Sequence, residues 1–212
     1  MKTNTIAVIG GTGKSGKYLL QNLLEKGYHI KLLLRNPENF TIKSPLIEII
    51  KGDARDGQSV DTLIKDCNVV MSALSQPVGE ESIFSDAAKN ITQSMSSHGI
   101  RRYIVIAGLN VDTPLDKKNI KVKQATDWMY QNYPKTTIDR QIEYEILTKS
   151  DLDWTLVRLP LIIQTSESFK TETSLEDCKG ENISATDLAE FLVSQIDDTT
   201  YVKRSPFLYN LS

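Results

Sequence analysis

Short apolar runs alternate along the chain with segments in which apolar residues recur at helical spacing. Residues 6–9 and 30–34 form two such runs, and Leu19, Leu20 and Leu23 lie between them at the spacing of one helix face. This arrangement predicts a strand, a helix and a second strand. The same alternation predicts strands at residues 47–50, 69–71, 103–107 and 154–159, and helices at residues 60–64, 82–97, 121–131, 136–149 and 186–196.

The predicted strands are apolar at nearly every position, so both of their faces must be covered. Strands of this kind are typical of a parallel sheet with helices on each side. We therefore predict an α/β fold with a doubly wound parallel sheet, the Rossmann fold, and a small C-terminal region on the substrate side. The length suits one core, so residues 1–212 are predicted to form a single domain.

Two features of the C-terminal region can be predicted from local pattern. The polar stretch at 165–177 predicts a small hairpin or lid. Ser184 to Asp187 resembles a capping box, with aspartate where glutamate is usual, and predicts the start of the last helix. Trp154 and Arg158, in the last predicted strand, are expected to serve the core.

A glycine-rich loop joins the first predicted strand to the first predicted helix. Residues 10–16 read Gly-Gly-Thr-Gly-Lys-Ser-Gly, which satisfies the dinucleotide pattern GxGxxG. Free backbone N–H groups and the helix dipole can bind a pyrophosphate there, and glycine lets the phosphate come close. The alternatives are a tight turn without a ligand and a nucleoside-triphosphate loop. The latter needs a glycine where Val8 stands.

The end of the second predicted strand indicates which dinucleotide binds. NAD-binding proteins carry an acidic residue about 20 positions after the last glycine, where it accepts the ribose hydroxyl. This chain has Arg35 near that place. A guanidinium can hold a 2′-phosphate in bidentate fashion, so NADP is favoured over NAD. The alternative is a solvated arginine at a strand end.

Charge and composition argue against several other functions. The net charge is −2 and no basic face is evident, so neither nucleic acid nor a membrane surface is an expected partner. No apolar run approaches the length of a membrane helix, and we expect a cytoplasmic protein. Two cysteines and two histidines lack metal-binding spacing, so no metal site is expected, and structural roles are expected for His29 and His98.

Six short motifs carry a resemblance that runs nearly end to end. The chain resembles the atypical short-chain dehydrogenase/reductase group, NAD(P)H-binding proteins that include NmrA-like regulators and biliverdin-reductase-B-like flavin reductases. The motifs are Ile-Gly-Gly-Thr-Gly-Lys-Ser-Gly at 9–16, Leu-Arg-Asn-Pro at 34–37, Lys-Gly-Asp-Ala-Arg-Asp at 51–56, Arg-Arg-Tyr-Ile-Val-Ile-Ala-Gly at 101–108, Leu-Asp-Trp-Thr-Leu-Val-Arg-Leu-Pro at 152–160 and Ile-Ser-Ala-Thr-Asp-Leu-Ala at 183–189.

The resemblance implies a set of cofactor-binding residues. Those near the phosphates are Gly10, Thr12, Gly13, Lys14, Ser15 and Gly16. Those near the adenosine are Arg35 at the 2′-phosphate, with Asp53 and Ala54 at the adenine. Those near the nicotinamide and its ribose are Ala73, Leu74, Ser75, Arg140, Pro160 and Leu161. For Asp53, a turn-forming role remains equally open.

The chain departs from the short-chain reductase pattern at the catalytic positions. Ala107-Gly108-Leu109-Asn110 stands where a serine is usual, and the tyrosine and lysine positions hold Thr136 and Arg140. Arg140 is expected to bind the nicotinamide ribose or an anionic substrate, but it cannot release a proton near neutral pH. Tyr133 is the nearest other phenol, as a proton donor or as a packing residue.

These features lead to two functional hypotheses. The first is an NADPH-dependent reductase that transfers hydride to a flavin, a quinone or a similar small acceptor, which needs little acid–base help from the protein. The alternative is a non-catalytic, NmrA-like NADP(H) sensor that acts through a protein partner. A sugar-nucleotide epimerase is disfavoured, because few residues remain for a substrate domain and the catalytic tyrosine is missing.

Overall fold

The computed structural model describes residues 4–211 and has a mostly parallel, eight-stranded sheet at its centre. The strands of this sheet are β1 (Thr5–Ile9), β2 (His29–Leu34), β3 (Ile47–Lys51), β4 (Val69–Ser72), β5 (Arg102–Gly108), β6 (Asp153–Leu159), β8 (Thr171–Ser174) and β10 (Phe207–Asn210). A separate pair consists of β7 (Leu161–Ile163) and β9 (Asn182–Ser184). The helices are α1 (Gly16–Glu25), α2 (Gly57–Ile64), α3 (Phe84–Ser97), α4 (Ile120–Asn132), α5 (Pro134–Thr148) and α6 (Ala185–Ser194), with a 3-10 turn at Pro37–Asn39.

The strand order is β3-β2-β1-β4-β5-β6-β10-β8. In β1, Ile6 pairs with Ile30 of β2 on one side and with Val69 of β4 on the other, both in parallel. The chain therefore winds in opposite directions from β1 and β4, and these strands form the switch point at which ligands bind in open α/β sheets. The doubly wound fold predicted from the apolar runs is confirmed.

Alternate residues of each central strand supply two cores on opposite faces of the sheet. In β1, Ala7 and Ile9 face the core beneath α2, α3 and α5, whereas Ile6 and Val8 face the core beneath α1 and α6. All four side chains are buried. Covering both faces explains why the strands carry no polar alternation.

The polar stretch at 165–177 does not fold back on itself, so the predicted hairpin is wrong, while the alternative of a lid stays a prediction. Its strand β8 instead pairs antiparallel with β10, with Ser174 opposite Phe207 and Thr171 opposite Asn210. The stretch thereby supplies the edge of the main sheet. The partner strand lies near the end of the chain, so a local pattern could not reveal the pairing.

The start of α6 uses only half of a capping box. The Ser184 hydroxyl accepts the Asp187 backbone N–H at 3.4 Å, as the sequence predicts. The Asp187 carboxylate does not return to Ser184; it accepts the Phe169 backbone N–H at 3.0 Å and the Asn210 side-chain amide at 2.8 Å. The Ser184 N–H donates to the Asn210 Oδ1 atom at 2.6 Å. The C-terminal strand therefore completes the cap.

Arg158 lies at the centre of the C-terminal half, with 0% of its surface exposed, and Trp154 is also buried. The guanidinium of Arg158 stacks 3.6 Å from the Phe207 ring and donates to the Asp116 carboxylate at 2.6 Å. It also donates to the backbone carbonyl oxygens of Val111, Leu175 and Ser205. The predicted core roles of both residues are confirmed.

The cysteines and histidines occupy structural positions. Cys67 and Cys178 are buried and unpaired, and burial raises their thiol pKa values to about 11 and about 12. His98 ends α3 and contacts the Asp61 carboxylate at 2.9 Å. Among residues 4–211, no three His, Cys, Asp or Glu side chains group as a metal site, and no helix is long and apolar enough to span a membrane.

We predict that Arg158→Met lowers the free energy of unfolding by about 3 kcal/mol, because three backbone carbonyl groups lose their donor and the Asp116 carboxylate keeps only the longer cation contact with Lys118 at 3.5 Å. The control is Arg101→Met, since Arg101 is exposed and pairs with Asp153 at 3.0 Å. Breaking such a surface pair costs at most about 1 kcal/mol. Urea unfolding measures both values, and equal losses would contradict the role given to Arg158.

Candidate functional site

The loop between β1 and α1 fits tightly against the chain that follows β4. Gly10 has a φ of +77°, in the left-handed region that favours glycine. A Cβ atom at Gly10 would lie 2.6 Å from the backbone of Ala73, and one at Gly16 would overlap the Gly10 carbonyl oxygen. The Gly13 N–H closes the turn on the Gly10 oxygen at 3.1 Å. Glycine is therefore required by close packing at this turn.

The N-terminus of α1 has no side-chain cap. Ser15 occupies the capping position without accepting a hydrogen bond from the helix. By contrast, Asp56, Asn119 and Ser184 cap α2, α4 and α6 with their side chains. The first N–H groups of a helix without a cap suit an anion, and the dipole favours negative charge there. The glycine turn and this helix end fit the pyrophosphate of a dinucleotide.

A cleft of about 340 Å³ opens at the carboxyl ends of the strands on both sides of the switch point. It brings together residues that the sequence places far apart. The predicted site residues that line it are Gly10, Thr12, Gly13, Arg35, Asp53, Ala54, Leu74 and Ser75. Further lining residues, which sequence reasoning did not single out, include Leu33, Leu34, Asn36, Asn39, Phe40, Pro77 and Ile83. Their apolar members provide walls suited to a planar base.

The other predicted residues lie outside this lining. Ser15, Gly16 and Ala73 are buried behind the loop, and Lys14 is exposed beside it. Pro160 is buried at the end of β6, and Leu161, at the start of β7, is 68% exposed. A nicotinamide-side role for Pro160 and Leu161 stays a prediction.

The guanidinium of Arg140 is buried and hydrogen-bonded inside the protein, and a ligand-binding role for it stays a prediction. Its Nη1 atom donates to the Ile106 carbonyl oxygen at 3.0 Å and to the Glu143 carboxylate at 2.6 Å. Its Nη2 atom donates to the Leu74 carbonyl oxygen at 2.8 Å, and its guanidinium lies 3.3 Å from the Phe84 ring. Burial raises the pKa of Glu143, and the adjacent Arg140 charge opposes that shift. Because its carbonyl acceptors lie at the end of β5 and on the chain after β4, Arg140 holds this wall of the cleft in position.

The neighbouring Asp139 supports the same wall from α5. Its carboxylate accepts the backbone N–H groups of Phe84 and Ser85 at 2.8 and 3.3 Å, and the Ser82 hydroxyl at 2.5 Å. These bonds cap the N-terminus of α3, which has no cap of its own. The side of the cleft that follows β4 is therefore anchored to α5.

A charged cluster borders the adenosine side of the cleft. The Arg35 guanidinium donates to the Glu80 carboxylate at 2.7 Å and lies 3.9 Å from the Asp53 carboxylate. Arg55 donates to the other Glu80 oxygen at 3.0 Å. This hydrogen bonding, first from Arg35, lowers the pKa of Glu80. Glu80 and Arg55 were not predicted; Arg55 lies within a recognised motif, but only the fold brings Glu80 to it.

Asp53 forms the turn that its sequence context predicts and also lines the cleft, while its contact with an adenine stays a prediction. Its Oδ1 atom accepts the Arg55 backbone N–H at 2.8 Å, which forms a turn. The residue also lines the cleft. A turn-forming aspartate and a cleft residue are therefore compatible at this position.

The catalytic positions of short-chain reductases hold no replacement for the usual proton donor. Asn110 follows β5 and is buried, and Thr136 lies in the first turn of α5. The Tyr133 ring packs edge-on against Trp128 at 5.6 Å, and Tyr144 packs in the same way against Trp154 at 6.0 Å. The contact of Tyr133 agrees with the packing alternative.

A protein-family model described as NAD(P)H-binding matches residues 10–199 of the chain. Among curated proteins, the chain is 25% identical over 195 residues to dihydroflavonol 4-reductase of Solanum lycopersicum, with 76% of this chain and 50% of that protein covered. It is 22% identical over 215 residues to the photosystem II assembly factor Ycf39 of Guillardia theta, with 95% and 63% covered. The chain thus spans about half the length of the first relative and under two thirds of the second.

Solved structures share the fold over nearly the whole chain. ChuY, an anaerobillin reductase from Escherichia coli O157:H7, superposes with a TM-score of 0.82 at 14% identity, with 98% of this chain and 97% of that chain covered. A short-chain dehydrogenase/reductase from Veillonella parvula in complex with NADP gives a TM-score of 0.81 at 18% identity, with 98% and 94% covered. These structures show that the chain shares their fold, and the family match confirms the resemblance to NAD(P)H-binding proteins. The chain belongs to the NAD(P)H-binding family.

Proposed function

We propose that this protein prefers NADP(H) to NAD(H) and transfers hydride from NADPH to a small acceptor such as a flavin or a quinone. The observation that carries this proposal is the cleft at the switch point, which is lined both by the glycine turn at Gly13 and by Arg35. An anion-binding helix end and a guanidinium in one cleft match the two phosphate-bearing parts of NADP.

The chain's own residues have distinct roles in holding the cofactor. The backbone N–H groups at the start of α1 bind the pyrophosphate, and Arg35 binds the 2′-phosphate. Ala54 and Ile83 provide apolar contacts for the adenine. When bound, the reduced nicotinamide supplies a hydride, while the protein orients the reactants and excludes water.

The residues at the former catalytic positions favour an acceptor that needs little proton transfer from the protein. Thr136 has no acidic proton near neutral pH, and the Arg140 guanidinium is held by Ile106, Leu74 and Glu143. A flavin or quinone takes hydride without a dedicated phenol–lysine pair, whereas a ketone depends on one. The reductase names of the tomato relative and of ChuY support a reduction reaction, but they do not bear on the choice of acceptor.

A non-catalytic NADP(H) sensor that contacts a protein partner is the second candidate. The observation that favours it is that the Arg140 guanidinium is hydrogen-bonded inside the protein. The cleft has the features that bind a dinucleotide, but the sequence does not carry the serine, tyrosine and lysine that short-chain reductases use for catalysis. Ile138 and Ile142 lie one turn apart on α5 and are both exposed, as a partner-facing surface requires.

The cofactor preference is tested by titrating the protein with NADPH and NADH and following nicotinamide fluorescence. We expect tighter binding of NADPH, and Arg35→Ala should weaken it about tenfold, because a hydrogen bond between charged groups contributes about 1.5–3 kcal/mol. NADH binding should change little. The control is Arg101→Ala, which removes an exposed arginine paired with Asp153. Equal weakening of both nucleotides by Arg35→Ala would contradict a contact with the 2′-phosphate.

Turnover separates the reductase from the sensor. We expect the protein to oxidise NADPH with FMN or menadione faster than an enzyme-free control, because the cofactor itself supplies the hydride. Gly13→Val should abolish that excess rate, since a Cβ atom there already lies 3.3 Å from the Gly10 oxygen and its methyl groups would enter the phosphate position. If wild type binds NADPH without turnover across such acceptors, the sensor is favoured; turnover that survives Gly13→Val would arise outside this cleft.

A further inference from the structure

The segment after β4 places one carboxylate between two arginines at the adenosine side of the cleft. The Oε1 atom of Glu80 accepts from Arg35 at 2.7 Å, and its Oε2 atom accepts from Arg55 at 3.0 Å. Guanidinium groups that converge on one oxyanion are the usual means by which proteins bind phosphate. Glu80 therefore occupies an anion position built from Arg35 and Arg55.

The charges in this cluster balance while Glu80 is in place. The Asp53 carboxylate lies 3.9 Å from Arg35 and 3.8 Å from Arg55, and Glu80 supplies the second negative charge. Hydrogen bonds from the two arginines lower the pKa of Glu80, so the residue is ionised at neutral pH. Removing its carboxylate from the arginines would leave excess positive charge, which favours a phosphate.

The contacts of Glu80 are of a kind that a ligand can replace. Its side chain is 40% exposed and that of Arg35 is 47% exposed. Ion pairs this accessible to water contribute little to stability, because the solvent screens them. Other atoms hold the backbone around Glu80: the Gln76 amide donates to the Glu80 carbonyl oxygen at 2.8 Å, and the Nη2 atom of Arg55, whose Nη1 atom binds the carboxylate, donates to the Glu81 carbonyl oxygen at 2.6 Å.

We propose that Arg55 is a second ligand of the cofactor's 2′-phosphate and that Glu80 occupies the phosphate position in the free protein, from which the phosphate displaces it. This inference rests on the proposed function, because it concerns the same cleft. NADP must displace Glu80, whereas NAD, which has no 2′-phosphate, leaves the carboxylate where it is. Glu80 thus reduces the selectivity for NADP that the two arginines provide.

The test of Glu80 compares 2′,5′-ADP, which carries the 2′-phosphate, with 5′-AMP, which lacks it, by isothermal titration calorimetry. We expect Glu80→Gln to tighten 2′,5′-ADP binding about threefold, because the phosphate no longer has to displace an exposed ion pair. Binding of 5′-AMP should stay unchanged. Glu81→Gln is the matched control, since Glu81 is adjacent but its carboxylate pairs with Lys135 at 2.9 Å. Equal effects of the two substitutions would overturn the role of Glu80.

The test of Arg55 separates direct contact with the phosphate from an indirect effect through Glu80. Arg55→Ala should weaken 2′,5′-ADP binding about tenfold, as expected for one lost charged hydrogen bond, with little change for 5′-AMP. The same loss should appear when Arg55→Ala is made in the Glu80→Gln protein. If the loss disappears in that background, Arg55 acts only by holding Glu80 and is not a phosphate ligand.

The wild-type protein tests the proposed function separately. A wild type that binds NADH more tightly than NADPH contradicts the proposed cofactor preference, yet a ratio of affinities that moves toward NADPH in Glu80→Gln still supports the inference. A wild type that prefers NADPH with no shift in Glu80→Gln overturns the inference alone. Binding of none of these nucleotides overturns both.

Discussion

The buried guanidinium of Arg140 joins three elements at the edge of the sheet where the cleft opens. It connects α5 to the end of β5 through the Ile106 carbonyl and to the chain after β4 through the Leu74 carbonyl. A buried charge of this kind is tolerated only when it is paired, and Glu143 supplies the pair at 2.6 Å. With Asp139 capping α3 from the same helix, this network sets the position of one cleft wall.

The two sides of the cleft differ in how firmly they are held. The wall at Leu74 depends on buried, fully paired groups, so it costs several kcal/mol to disturb. The adenosine side carries exposed ion pairs, which are worth little individually. A fixed wall can orient a dinucleotide, while exchangeable charges at the other side can respond to a phosphate. At the position where the resemblance to short-chain reductases implies a lysine, this chain carries Arg140, whose guanidinium is buried.

The local parts of the fold were predictable because their signals are local. The apolar runs gave the central strands to within one or two residues, and the glycine loop was found where β1 meets α1. The features that the sequence did not reveal have a common cause. The stretch at 165–177 depends on pairing with β10, and the buried donors of Arg140 bind Glu143 and two distant carbonyl groups. Neither set of partners is visible in a short segment of sequence.

The sequence by itself determined the doubly wound class of the fold, the first six strands with the helices between them, and the glycine turn, since periodicity and glycine content act within a few residues. It also placed Arg35 at the end of the second strand. Only the tertiary structure decided that Arg140 belongs to the protein interior, and that Glu80 and Arg55 meet Arg35 at the cleft. These outcomes depend on burial and on charges brought together from separate strands and loops, and such contacts form only when the sheet has assembled.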